Sequence, residues 1–260
     1  MQMKTSRIIP VAMLILLTAA IASGAEAPPT PGAGDLVKSL PNIDTPGGSG
    51  TVITWVVMVT VLSVAPALLV MVTCFTRIVV VLGLLRQALG SAQLPPNQVI
   101  FGLSLLMTAV VMAPTYNKIH NDAIDPYLGG KLDRTAAISA GEAHIREFMT
   151  AQIEAAGNGS DVYLFLSDET AAKKNLAWGD VPTVSLIPAF VVSELKVAFW
   201  MGFRIFLPFL VIDMLVATFL VSMGMLMLPP SLISLPFKLL LFVLADGWHL
   251  VVGTLMKSFG

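Results

Sequence analysis

Several ionisable side chains interrupt sequence that is otherwise apolar: Arg77, Glu194, Lys196, Arg204, Asp213, Lys238 and Asp246. An isolated charge at bilayer depth costs about 2.5–3.5 kcal/mol on insertion scales, so such groups face protein or water, pair with one another, or carry protons. Glu194 and Lys238 flank a proline-rich turn from opposite sides. They are expected to pair, within one hairpin or between neighbouring copies, because losing one partner would strand a buried charge. Asp213 and Asp246 allow a second chemistry, a proton path of the kind transporters use. Lys196 and Arg204 either face protein or lie near helix ends and snorkel to the interface.

Other chemistries find little support. His120, His144 and His249 are scattered without metal-ligand spacing, so no metal site is expected. HExxH, GxSxG, GxxxxGK[ST] and GxGxxG patterns are absent, and no serine or histidine is placed as part of a nucleophile–base pair. No catalytic residue, no enzyme activity and no cofactor is predicted. The single cysteine, Cys74, excludes an intrachain disulfide and lies in an apolar run, as a buried thiol would. A net charge of -1 without any Lys/Arg-rich run excludes bulk attraction to nucleic acid.

The elements that must position these residues are set by hydrophobicity. Of the 260 residues, 56% are hydrophobic and only 12% charged, against about 25% charged in ordinary soluble domains. Residues 1–25 read as a secretory signal peptide: Lys4 and Arg7 precede a short apolar stretch and then small residues. Residues 26–50, rich in Pro and Gly, form a flexible linker. A first hydrophobic helical hairpin spans 51–115. Its opening run to Leu85 is longer than one crossing requires, so it must tilt, protrude or be partly buried in protein. Gly90 and Pro95-Pro96 mark its turn, and Val99–Pro114 its return helix.

Residues 116–181 carry six Lys/Arg and ten Asp/Glu and read as an acidic extramembrane helical insert. There Ser139 and Glu142 suggest a capping box, GNGSD a helix end and SDETAAKKNLA a second short helix. The Asn158-Gly159-Ser160 sequon is taken as chance. Residues 182–260 form a second hydrophobic hairpin, turning near LPPSLISLP and with a break near Pro208. The fold class is therefore an all-α membrane protein with two long hydrophobic hairpins around the insert. Removal of a signal peptide leaves the mature N-terminus outside, which puts both hairpin turns inside and the insert on the periplasmic side.

Met223, Met225 and Met227 alternate just before Pro229-Pro230. On composition alone they suit gap-filling at a helix interface. The proline pair breaks the helix so that a short non-helical loop projects. Such backbone is tolerated at membrane depth only within protein or beside a water-filled cavity.

CFTRIVVVLGLLRQALGSAQLPPNQVIFGLSLLMTAVVMAP, Cys74 to Pro114, closely resembles the FliP family of flagellar biosynthesis proteins. FLPFLVIDMLVATFLVSMGMLMLPPSLISLPFKLLLFVLADGW, Phe206 to Trp248, is similar to that family's other signature, and SELKVAFWMGF, Ser193 to Phe203, joins it. The resemblance implies a core subunit of the type III protein export gate in the bacterial inner membrane, at the flagellar basal body. It implies a pentamer with FliQ-type and FliR-type subunits, completed by FlhB-type and FlhA-type proteins, that conducts unfolded flagellar proteins. It also implies a pore gasket at Met225, Leu226 and Met227, with Leu226 departing from the family's methionine. Apolar, soft side chains in a ring would exclude water when empty and yield around a polypeptide. The alternatives are a proton-coupled transporter subunit and the export gate subunit of a virulence injectisome.

Overall fold

The computed structural model describes residues 48–90, 95–171, 177–225 and 228–260. The expected signal peptide and the linker up to residue 47 lie outside the described residues. The chain divides after Ala65. Helix α1, Gly48–Met71, begins three residues before the end of the expected linker and supplies the described part of the first unit. Its described side chains from Thr54 to Val64 are exposed, Trp55, Val57 and Leu62 among them. A helix surface this apolar suits lipid or protein rather than water.

In the second unit the long apolar run resolves as a break. Helix α1 ends at Met71 and α2, Phe75–Ala88, begins afresh. No proline or glycine lies between them. Instead the Thr73 hydroxyl donates to the Val70 carbonyl (3.3 Å) and accepts the Phe75 N–H (3.4 Å), an alternative to the helical ladder. Helix α2 is buried along a helical stripe of Phe75, Ile78, Val81, Leu82, Leu85 and Ala88. The return helix α3, Asn97–Ile119, passes through Pro114 rather than stopping there.

A five-residue π-helical turn, His120–Ile124, leads from α3 into α4, Asp125–Leu128, and then α5, Arg134–Ala155. The Ser139–Glu142 capping box does not form, because α5 starts five residues earlier. Asp133 is its cap, in extended backbone, and its carboxylate accepts the Ala136 N–H at 2.9 Å. Glu142 instead accepts the Thr183 hydroxyl at 2.5 Å. At its far end α5 closes with the N–H of Asn158 on the Ile153 carbonyl (3.0 Å), and Gly157 takes the left-handed conformation this requires, φ +70°. The Asn158 amide donates to Ser193 Oγ (2.9 Å), a structural use of the sequon residue. A 3-10 segment, Gly159–Phe165, and α6, Asp168–Ala171, follow.

Helix α7, Thr183–Ser222, runs 40 residues without interruption. Pro188 and Pro208 both lie inside it, so the expected break at Pro208 does not occur. An apolar helix tolerates proline where neighbouring groups re-satisfy the freed backbone. Arg146 pins its start, donating to Thr183 Oγ1 (2.5 Å) and to the carbonyls of Trp178 (3.0 Å) and Val181 (2.7 Å). Beyond the loop, α8, Pro230–Leu244, and α9, Gly247–Lys257, meet at a 64° bend. Asp246 makes that corner in left-handed backbone, φ 48°. At Gly247 a side chain would run into the Phe242 ring. The sequence reading had no corner here.

One core joins α2 to the middle of α7 and to α9 through Val81, Leu85, Ala198, Met201 and Leu255. At Gly202 any Cβ would strike Leu84, so α2 and α7 meet at close backbone range. A second core joins the insert to the start of α7 through Met149, Ile153, Val162, Leu186 and Phe190. Among the described residues the chain is all-helical. Three helices are long and apolar enough to cross a membrane, and the bent α8–α9 pair makes a fourth if counted as one span.

Candidate functional site

Four of the seven charges set in apolar sequence are gathered into two polar knots on α7. In the first, the Arg77 guanidinium grips Glu194 with two bonds, Nε to Oε2 at 2.8 Å and Nη2 to Oε1 at 2.5 Å. Nη2 also reaches Gln152 Oε1 of the insert (3.0 Å), and Nη1 reaches the Ser258 carbonyl (2.7 Å) and hydroxyl (3.1 Å). The guanidinium lies 4.1 Å from the Phe259 ring centre. Arg77 is 1% exposed and Glu194 fully buried. Five hydrogen bonds match the five N–H donors of arginine, so no polar group of this cation is left bare.

The second knot holds the turn. Lys238 Nζ donates to Asp213 Oδ2 (2.6 Å) and to the Ala88 carbonyl at the end of α2 (3.1 Å). The other Asp213 oxygen accepts the Ser234 hydroxyl at 2.6 Å. Lys238 and Ser234 are buried. Within one chain the expected pairing of Glu194 with Lys238 does not form: Glu194 meets Arg77, and Lys238 meets Asp213. The two residues lie at different depths. Glu194 and Asp213 lie 19 residues apart on the same helix, which is roughly 28 Å of rise.

The remaining charges are separate. Lys196 is half exposed and bonds Asp161 of the insert at 2.5 Å. Arg204 is exposed and stacks over Trp200, 4.9 Å from the ring centre. Asp246 shapes the α8–α9 corner and makes no side-chain cap bond to α9. Cys74 is buried. His144 lies between Asp122 (2.9 Å) and Glu147 (3.4 Å), and Lys118 completes the cluster by donating to Glu147 at 2.8 Å. This exposed strap joins the π-helical turn to α5. The Lys118 ammonium holds the Glu147 carboxyl below its ordinary range, with His144 adding to the effect.

The methionine loop leaves α7 by a defined path. The Met225 N–H returns to the Leu220 carbonyl and the Gly224 N–H to the Val221 carbonyl, both at 3.0 Å. Gly224 occupies the left-handed position, φ +75°, that this helix ending needs. Met225 is 40% exposed. Leu226 and Met227 lie outside the described residues. Pro229 is in extended backbone, and Pro230 opens α8 in its first turn, where its missing N–H costs nothing. Ser234, Gln152 and Ser258 escaped the sequence reading. Ser234 alone carried a signal, as a hydroxyl one turn before Lys238 on an apolar helix.

The FliP family profile matches residues 58–255. The flagellar biosynthetic protein FliP of Bacillus subtilis strain 168 is 48% identical over 202 residues, covering 78% of this chain and 89% of that protein. The protein of the same name from Caulobacter vibrioides is 45% identical over 227 residues, covering 86% and 84%. That of Aquifex aeolicus is 42% identical over 231 residues, covering 87% and 95%.

Proposed function

The chain belongs to the FliP family, and from that footing we propose that it is a structural, pore-forming subunit of the flagellar type III protein export gate. In this reading it sits in the bacterial inner membrane at the basal body, with the acidic insert on the periplasmic side. Copies of it assemble as a pentamer with FliQ-type and FliR-type subunits, beside FlhB-type and FlhA-type proteins. Unfolded flagellar proteins pass through the resulting channel. The subunit conducts and seals; it does no bond chemistry.

The observation that carries the reading is the hairpin of α7 and α8. Two apolar helices are held by a partly buried polar knot, and between them Met225 emerges from a glycine-terminated helix toward a proline-started one. A loop so anchored suits a constriction, in which Met225, Leu226 and Met227 form one copy's share of a hydrophobic seal that excludes water when no substrate is present. A proton path through Asp213 is disfavoured by its engagement with Lys238 and Ser234.

The test is a native mass measurement of the complex co-expressed with FliQ-type and FliR-type partners. The expected result is a single assembly whose mass accommodates five copies of this chain. A stable complex with one copy would overturn the channel-forming reading.

A further inference from the structure

Asp213 is the junction of the second knot, and its geometry bears on how the methionine loop is placed. Helices α7 and α8 are apolar along most of their length, and apolar contact is non-directional. Two such helices could slide by a turn, about 5.4 Å, with little change in buried area. The knot removes that freedom. One carboxylate accepts from Ser234 and Lys238, residues one turn apart on α8, and Lys238 continues to the Ala88 carbonyl of α2. Sliding α8 would strand a buried ammonium and cost the Ser234 hydroxyl its short bond to Asp213, leaving it only the Ser231 carbonyl at 3.3 Å. The stranded charge is the kind of penalty that makes buried polar contacts act as register pins.

We propose that Asp213 is a positioning residue for the seal: it sets the register of α8 against α7 and so fixes where the loop beginning at Met225 stands. This rests on the reading of that loop as a seal. Asp213 touches no substrate in this role. It acts through Ser234 and Lys238.

The experiment uses the assembled, co-expressed complex with a nitroxide label on Met225→Cys. Cys74 is buried with no exposed surface, so within this chain the introduced thiol is the one that reacts; the partner subunits are used with their cysteines replaced. Asp213→Asn keeps the side chain's shape but removes the charge facing Lys238. Asp213→Asn with Lys238→Met also removes the stranded ammonium, and so restores stability without restoring the pin. The expected result is a several-fold fall in the label's rotational correlation time in both variants, although the double variant assembles in wild-type yield. Should Asp213→Asn fail to assemble, the double variant alone is read.

An immobile label in the double variant overturns the proposal. So does failure of the double variant to assemble, since Asp213 would then serve folding rather than register. Ion leakage measured on unlabelled Asp213→Asn and double-variant complexes that keep Met225 judges the seal separately. A freed label with no leakage leaves Asp213 as the pin and removes the seal; a freed label with leakage supports both.

Discussion

Arg77 and Glu194 make a buried pair in which every guanidinium N–H has an acceptor, drawn from α7, the insert and the segment after α9. The pair is thus a meeting point of elements far apart in sequence. Removing one member leaves the other buried and uncompensated, a loss of about 3–5 kcal/mol. Arg77→Met and Glu194→Leu should each lower the thermal midpoint of the purified protein sharply, and the double variant should melt higher than either. A double variant that melts at the sum of the two losses would show that the pair is not coupled. At this scale the sequence revealed which residues were out of place, since a charge in an apolar run is conspicuous. It did not reveal their partners. Partner choice depends on the depth and rotation of each helix, and Glu194 sits at a different level of α7 from Asp213, the partner of Lys238.

Helices were more legible than their joints. Apolar length announced α1, α3 and α7, and the composition shift announced the insert. The break after Met71 was invisible because the Thr73 hydroxyl, not a proline or glycine, redirects the backbone there. Pro208 misled for the opposite reason, since α7 runs through it unbroken. The cap of α5 was misplaced at Ser139 although Asp133 stood just upstream with the better geometry. The Thr135 hydroxyl and the Ala136 N–H hold the Asp133 carboxyl below its ordinary range. A depressed carboxyl pKa stabilises the fold above its unfolded value, and that stabilisation fades as pH falls through the folded value. The melting-temperature gap between wild type and Asp133→Ala should therefore narrow as pH is lowered from about 7 to about 3. A gap that widens on acidification would contradict the cap's charge dependence.

For the whole molecule, the two cores divide the work. One fastens the acidic insert to the start of α7, and the other fastens α2 and α9 to its middle. The large apolar surface left exposed on α7 and α8, including Phe199, Phe203, Met214, Phe219 and Val243, exceeds what a free soluble chain tolerates. Lipid and neighbouring subunits are the proposed cover. Family motifs are what mark the methionine loop as a proposed site, whereas composition alone left it as helix filling. The pinned hairpin behind it was not readable, because it required knowing that Asp213, Ser234, Lys238 and the end of α2 converge. The central claim is that this loop seals the channel. Its most direct test deletes Met225 to Met227 and measures ion leakage through the assembled complex in membranes. The account predicts leakage well above that of the intact complex, with the number of subunits in the assembly unchanged. Leakage at the intact level while secretion continues normally would contradict it.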